Sequence, residues 1–261
     1  MHDHHEEALA NTIQSASADC TCVACILVGC VPRGWARPES DIDVVYVVTD
    51  EEFSRRRKAA ELQFYHHIKT AGTTVDVDGK IADRAFLEAV ADGGIEPARA
   101  AFVDAELCYT EDHDLAAVLE RIPVYPEDKR RERIRTFYSQ MRAYRWYLGE
   151  AESRDDPYLR HHTASQLALF GGRLLLAHNR ELFPYHKWFT RVLAEVPEKP
   201  PETMSLLNRL LRERTHTSAE SFAGTIESFS DWDVPEAGWP VRFLLDREWQ
   251  WRRGQPALEE L

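Results

Sequence analysis

Short apolar or β-branched runs in the first half of the chain alternate with segments whose spacing is typical of helices. The runs predict strands over residues 22–28, 41–48, 73–81 and 105–109. The segments between them predict helices over residues 7–18, 51–70 and 83–91. Because strands and helices alternate, we expect this half to form a sheet covered by helices.

The pattern changes at residues 122–128, where Pro123 and Pro126 predict a linker. Beyond it, apolar residues recur at steps of three and four, as one face of a helix requires: Ile134, Phe137, Met141, Tyr144 and Leu148. Further helices are predicted over residues 157–178, 186–195, 202–213, 218–229 and 241–252. We therefore predict an α+β fold, with a mixed sheet and helices in residues 1–122 and an all-α domain in residues 127–261.

Composition restricts the partners that this chain is expected to have. It contains 44 acidic and 32 basic residues, for a formal net charge of −12. Such a balance argues against nucleic acid as a partner, because binding to a phosphate backbone needs clustered Lys and Arg. No apolar run approaches the roughly 18 residues that span a membrane, and residues 1–7 lack the basic and apolar regions of a signal peptide. We expect a cytoplasmic protein with no membrane partner.

Cysteines are concentrated near the first predicted strand, at Cys20, Cys22, Cys25 and Cys30. The spacing suggests a zinc site that would be completed by nearby histidines, namely His2, His4 or His5. However, no second ligand pair lies at the distance of a zinc ribbon. Cys22 and Cys25 fit small residues of a buried strand instead, and the zinc alternative stays open.

The segment between Val28 and Asp43 carries the most specific pattern. A predicted strand ends at Gly29, where no side chain would block an approaching phosphate and the following N–H groups can donate to it. Asp41 and Asp43 stand two residues apart on the next predicted strand, so their side chains point to one face. Two carboxylates that converge in this way can hold the divalent cations that accompany a triphosphate.

These residues resemble the signature of the polymerase-beta-type nucleotidyltransferase superfamily. The match consists of Gly29, Arg33 with Gly34, and Ser40-Asp41-Ile42-Asp43. It departs at Cys30, where the family usually has serine. The helical part is similar, in general terms only, to the second domain of aminoglycoside and lincosamide nucleotidyltransferases. The resemblance implies a nucleotidyltransferase fold that uses Mg²⁺ and a nucleoside triphosphate.

The resemblance also implies a third carboxylate on a neighbouring strand. Asp76 and Asp78 share one face of the predicted strand 73–81, so periodicity does not choose between them. In the related resistance enzymes the acidic residue lies between two valines, as Asp76 does in Val75-Asp76-Val77. We therefore predict that Asp41, Asp43 and Asp76 are the catalytic and metal-binding carboxylates.

The remaining predicted site residues bind the nucleotide or act as the catalytic base. The nucleotide-binding set that we predict is Gly29, Cys30, Arg33, Ser40 and Lys187. Lys187 lies beside aromatic residues at a predicted helix start and would reach the triphosphate as a point charge, with a surface lysine as the alternative. Glu150 is implied as the catalytic base, because related resistance enzymes have a glutamate in their helical domain.

The function expected from these residues is Mg²⁺-dependent transfer of a nucleoside monophosphate, with ATP as the expected donor. The acceptor would be a hydroxyl of a small molecule, and antibiotics are one class of such acceptors. The alternative is an antitoxin or regulator of the same fold that acts on or binds a partner protein.

Overall fold

The structure is a computed structural model that describes residues 1–234, 238–252 and 254. The chain divides into two compact units, Met1–Val124 and Tyr125–Leu261. The first unit holds a sheet with helices, and the regular elements described in the second are helices. The predicted α+β class is therefore confirmed. Residues 255–261 of the predicted helical domain lie outside the described residues.

The first unit contains a five-stranded mixed sheet with the strand order β3-β4-β2-β1-β5. Its elements are α1 (Asp3–Ala18), β1 (Cys22–Val28), β2 (Ile42–Val48), α2 (Asp50–Ala59), β3 (Gln63–Thr70), β4 (Thr73–Ala82), α3 (Arg84–Gly93), α4 (Glu96–Ala100), β5 (Glu106–Thr110) and α5 (Leu115–Arg121). Strands β2 and β4 pair in parallel, and the other neighbours pair antiparallel.

The two faces of the sheet are covered by different helices. On one face, Ile26 and Val45 pack with Leu87 of α3 and Leu115 of α5 in a buried core. On the other face, the hydroxyl of Tyr46 donates to a carbonyl of α1 over 3.0 Å. Since side chains two residues apart on a strand share a face, Asp43 lies on the Val45 face, one step before the core begins.

The predicted helix over residues 51–70 is wrong in its second half. Helix α2 ends at Ala59, Ala60 adopts a left-handed conformation, and strand β3 follows. This strand lies at the sheet edge and is largely exposed. Its main apolar signal in the sequence is the pair Phe64 and Ile68, which share one face of the strand. Pairing with β4 through a tight turn at Gly72 (φ +112°) stabilises it, and that pairing is a tertiary effect.

Two short helices of the first unit were not predicted, α4 and α5. Both are brief, at five and seven residues. Helices of this length show too few turns for a reliable apolar period. Val118 of α5 nevertheless belongs to the core, because it packs against the sheet.

The second unit consists, in the part described, of α6 (Glu127–Ser153), α7 (Pro157–His178), α8 (Phe189–Glu195), α9 (Thr203–Glu213), α10 (His216–Glu227), α11 (Trp239–Asp246) and a 3-10 turn at Gln250–Arg252. Met141 of α6, Leu167 of α7 and Phe222 of α10 are fully buried. Arg145 joins α6 to α10 through an ion pair of 2.7 Å with Glu227. No helix within the described residues has the length and apolar composition to cross a bilayer.

Candidate active site

The loop between β1 and β2 begins with a glycine in a conformation that other residues rarely adopt. Gly29 has φ +80°. The loop is closed by bonds from the N–H of Gly34 to the Val31 carbonyl (3.1 Å) and from the N–H of Trp35 to the Cys30 carbonyl (2.9 Å). These bonds do not use the N–H groups of Cys30 and Val31, which follow Gly29 directly.

Asp43 fills the space that a side chain at Gly29 would need. A Cβ atom added to Gly29 would overlap the Asp43 carboxylate. Val28 and Asp43 are register partners of β1 and β2, which brings the turn and the acidic strand start together. Glycine is therefore required here for two reasons, its positive φ and its contact with a predicted metal ligand.

Cys30, Asp41 and Asp43 form a compact group of ligand atoms. One atom from each, the thiol sulfur or a carboxylate oxygen, lies within 4.8 Å of the other two. Within the described residues this is the one such group of His, Cys, Asp and Glu side chains. Mg²⁺ prefers oxygen ligands and is commonly held by one or two carboxylates plus substrate phosphates. The two aspartates fit that ion, and the buried thiol is a softer donor that Mg²⁺ does not need.

Asp76 and Asp78 lie on β4, which pairs in parallel with β2. Asp78 is the register partner of Asp43, so their backbones are neighbours across the ladder. Asp78 accepts a hydrogen bond of 2.9 Å from Gln63, and Asp76 lies 2.7 Å from Nδ1 of His67. Neither aspartate joins the group with Asp41 and Asp43. The assignment of the third carboxylate thus stays a prediction, with Asp78 level with Asp43.

The segment that precedes Asp41 is fixed by the first turn of α1. Nε2 of His5 donates to the Ser40 carbonyl over 2.9 Å, and Nε2 of His4 donates to the Pro38 carbonyl over 2.8 Å. His5 is fully buried. In the sequence, these histidines are candidates only for zinc ligands. Nothing in their pattern indicates that they anchor a loop more than thirty residues away.

Ser40 and Arg33 have local roles in the structure. The Ser40 hydroxyl accepts a hydrogen bond of 2.9 Å from the N–H of Arg37, which closes a turn before the acidic pair. The Arg33 guanidinium lies 4.0 Å from the centroid of the Trp35 ring, and 11% of its side chain is exposed. It also approaches Asp104 at 3.9 Å. Both residues therefore shape the loop, and their predicted phosphate contacts stay predictions.

Glu150 and Lys187 belong to the second unit. Glu150 lies on α6 and forms an ion pair of 3.1 Å with Arg154 one turn later. Lys187 is exposed in the turn before α8, with Nζ 5.5 Å from the centroid of the Trp188 ring. Their predicted roles as base and triphosphate ligand also stay predictions.

The remaining cysteines near β1 behave as small apolar residues. Cys22 and Cys25 are buried in β1, and burial raises the pKa of Cys22 to about 11 and that of Cys25 to about 12. Both thiols are therefore protonated near neutral pH, as fits small residues of a buried strand. Cys20 is exposed, and the three form no ligand group among the described residues.

The chain resembles one protein family over part of its length and a solved structure over most of it. A family model described as "Domain of unknown function (DUF4037)" matches residues 97–189, a segment that does not include Gly29, Asp41 or Asp43. No curated protein matches the chain. Among solved structures, the chain is similar to a nucleotidyltransferase-like protein from Exiguobacterium sibiricum 255-15, at 13% identity and a TM-score of 0.49, over 86% of this chain and 74% of that one. A likeness at this level does not bear on the activity.

Proposed function

We propose that this protein is a metal-dependent nucleotidyltransferase that transfers a nucleoside monophosphate from a nucleoside triphosphate, with ATP as the expected donor, to a hydroxyl of a small molecule. The observation that carries the proposal is the grouping of the Asp41 and Asp43 side chains beside the turn at Gly29. A glycine turn with N–H groups outside its own bonds, next to converging carboxylates, suits a triphosphate with its cation.

The carboxylates and the turn residues have separate tasks in this proposal. Asp41 and Asp43 hold Mg²⁺, which when bound neutralises phosphate charge and lowers the pKa of an attacking hydroxyl. Gly29 leaves space for the Asp43 carboxylate. The N–H groups of Cys30 and Val31 donate to phosphate oxygens, and a thiol in place of the usual serine hydroxyl leaves those N–H groups intact.

The proposal includes a third carboxylate from strand β4. Asp76 is the proposed third ligand, and Asp78 is its alternative on the same face of β4. In the second unit, Glu150 is the proposed base and Lys187 the proposed triphosphate contact.

The acidic balance of the chain supports a small acceptor. With 44 acidic against 32 basic residues, a cationic hydroxylated molecule of the aminoglycoside type is favoured over an anionic polymer. Transfer RNA and single-stranded DNA are therefore expected not to bind at physiological salt. Tight, salt-sensitive binding of transfer RNA in a mobility-shift assay would contradict the small-acceptor proposal.

The direct test is a turnover assay of the purified full chain. Each nucleoside triphosphate is combined with Mg²⁺ and a panel of hydroxylated small molecules, and pyrophosphate release is measured. Asp43→Asn should lower turnover by roughly a hundredfold or more, since residues that merely support metal ligands are worth 10–100-fold. The matched control is Asp50→Asn, which removes an exposed carboxylate at the start of α2.

Three outcomes separate the candidate functions. Turnover that is lost in Asp43→Asn and kept in Asp50→Asn, with an unchanged circular dichroism spectrum, supports the proposal. Turnover and affinity for MgATP that are equal in both variants contradict it. A protein that shows no turnover with any acceptor, and that forms a stable complex with a protein partner, would be the regulator considered above.

A further inference from the structure

The second unit contains a cavity of about 360 Å³ whose lining combines aromatic rings with a few polar groups. Tyr144 and Tyr147 of α6 and Phe243 of α11 supply the rings. The polar groups are the imidazole of His162 on α7 and, after α11, the guanidinium of Arg247 and the carboxylate of Glu248. All of these residues lie in one unit, so the cavity exists independently of the loop at Gly29.

The aromatic part of the lining is held in place by packing. Tyr144 is buried, and its ring stacks on Phe170 at 5.8 Å with an interplanar angle of 4°. Phe243 stands edge-on to Tyr144 at 6.4 Å and tilted to Tyr147 at 6.2 Å. The rings of Tyr144, Tyr147 and Phe243 therefore form one connected aromatic part of the lining. Aromatic pairs favour offset or edge-on contacts, so a further flat ring would find suitable partners here.

The guanidinium at the cavity wall is fixed by hydrogen bonds. Arg247 donates from Nη2 to the Tyr144 hydroxyl over 2.7 Å and from Nε to Gln140 over 3.3 Å. Glu248, the next residue, is exposed and also lines the cavity. Arg247 and Glu248 together contribute one positive and one negative charge, so the lining has no formal excess of either sign from this pair. This favours a ligand without net charge.

His162 is the group that points to a ligand. Its ring contacts Tyr144 edge-on at 5.8 Å and stacks with Tyr158 at 6.0 Å. No hydrogen bond or ion pair with the described residues involves its ring nitrogens. The neighbouring His161 differs, because its Nδ1 lies 2.7 Å from the Pro157 carbonyl and its side chain does not line the cavity. Each of the two ring nitrogens of an imidazole can take part in a hydrogen bond, so both can serve a ligand at His162.

We propose that this cavity binds a small, uncharged, planar heteroaromatic molecule. Its ring packs against Tyr144 and Phe243, and a ring nitrogen or amino group forms a hydrogen bond with His162. The volume is at the lower end of the roughly 300–1,000 Å³ of ligand pockets, which suits a molecule of one or two fused rings. Few well-placed polar groups within an apolar lining are the usual composition of such sites.

The experiment uses the full chain and 2-aminopurine, a fluorescent and uncharged bicyclic base, in buffer with EDTA. Saturable quenching of its fluorescence is expected when it stacks in the cavity. His162→Ala should weaken binding by roughly tenfold, as the loss of a buried hydrogen bond does. His161→Ala, the adjacent control outside the cavity, should leave binding unchanged. Cyclohexanol, a ring that is not planar, should not displace the probe.

A cavity-filling variant keeps the test decisive if His162→Ala does not fold. Leu159 lines the same cavity and is partly exposed, so Leu159→Trp should occupy the space and abolish binding. The proposal is overturned if 2-aminopurine does not bind the wild-type chain. It is also overturned if neither His162→Ala nor Leu159→Trp weakens binding. Because the probe has no phosphate and EDTA removes divalent cations, these outcomes do not depend on the proposed transferase activity.

Discussion

Gly29 and Asp43 fit together only because position 29 has no side chain, since a Cβ atom there would overlap the Asp43 carboxylate. The two residues lie at the end of β1 and the start of β2, on adjacent antiparallel strands. The turn and the predicted metal ligand are therefore a single packed feature. A change at one residue should be measurable at the other.

We predict that Gly29→Ala damages the metal site more than Gly34→Ala does. Both glycines have positive φ, +80° and +67°, so alanine is strained at either position by about 1–2 kcal/mol. No heavy atom lies within 4 Å of a Cβ at Gly34. Gly29→Ala must also displace the Asp43 carboxylate. Urea unfolding and calorimetric titration with Mg²⁺ and ATP measure the two effects.

The comparison between the two glycines separates backbone strain from loss of the site. Similar losses of unfolding free energy, with nucleotide affinity reduced only in Gly29→Ala, are the expected result. If both variants bind MgATP as the wild type does, the contact between Gly29 and Asp43 has no role in binding.

Much of the fold could be predicted because strongly patterned segments identify themselves. Helix α7 has the predicted bounds. Pro157 begins it, and the Asp156 side chain caps it by accepting a hydrogen bond from the N–H of Leu159. Strand β1 is a continuous apolar run in which six of the seven residues are buried. Strand β3 could not be predicted in this way, because an exposed edge strand has few apolar residues. Its contacts, such as that of Phe64 with Gly79, depend on pairing with β4.

The candidate site was predictable to the extent that its residues are close in sequence. Gly29, Asp41 and Asp43 belong to one hairpin, so the motif and the strand periodicity are enough to predict that they lie close together. The register of Asp43 with Asp78 depends on how two separate strands align, and strand periodicity allows Asp76 equally well. The anchoring of Ser40 by His5 joins segments that are distant in sequence, and no local pattern encodes it.

The third carboxylate can be identified by comparing two conservative variants. If Asp76 completes the site, Asp76→Asn should lower turnover about as much as Asp43→Asn, and Asp78→Asn should have a much smaller effect. Each change removes a charge and keeps the size of the side chain, so the fold should survive. The reverse order would assign the role to Asp78, the register partner of Asp43. Small, equal effects would argue against a catalytic site.

Cys30→Ser should preserve or raise affinity for MgATP. The change restores the hydroxyl that the resembled family has, and it keeps the N–H group that is proposed to donate to phosphate. Cys30 is buried at 5% exposure, so circular dichroism must first show that the variant folds. Calorimetric titration then measures affinity. A large loss of affinity in a folded variant, together with stoichiometric zinc in the wild type, would instead show that the thiol is a metal ligand.

His5 should make the stability of the first unit depend on pH. Burial lowers its pKa below the ordinary value of 6.5, although the bond to the Ser40 carbonyl opposes this shift. Since Nε2–H donates to that carbonyl, the added proton would enter at Nδ1, which is buried without a partner.

The unfolded chain therefore binds more protons at low pH than the folded chain does. The contribution of His5 to stability is complete above pH 6.5 and is lost as the pH falls below it. His5→Phe should therefore flatten the decline in unfolding free energy as the pH falls below about 6.5. Urea unfolding of wild type, His5→Phe and the exposed control His66→Phe measures these slopes, and equal slopes in wild type and His5→Phe would exclude His5 as the cause.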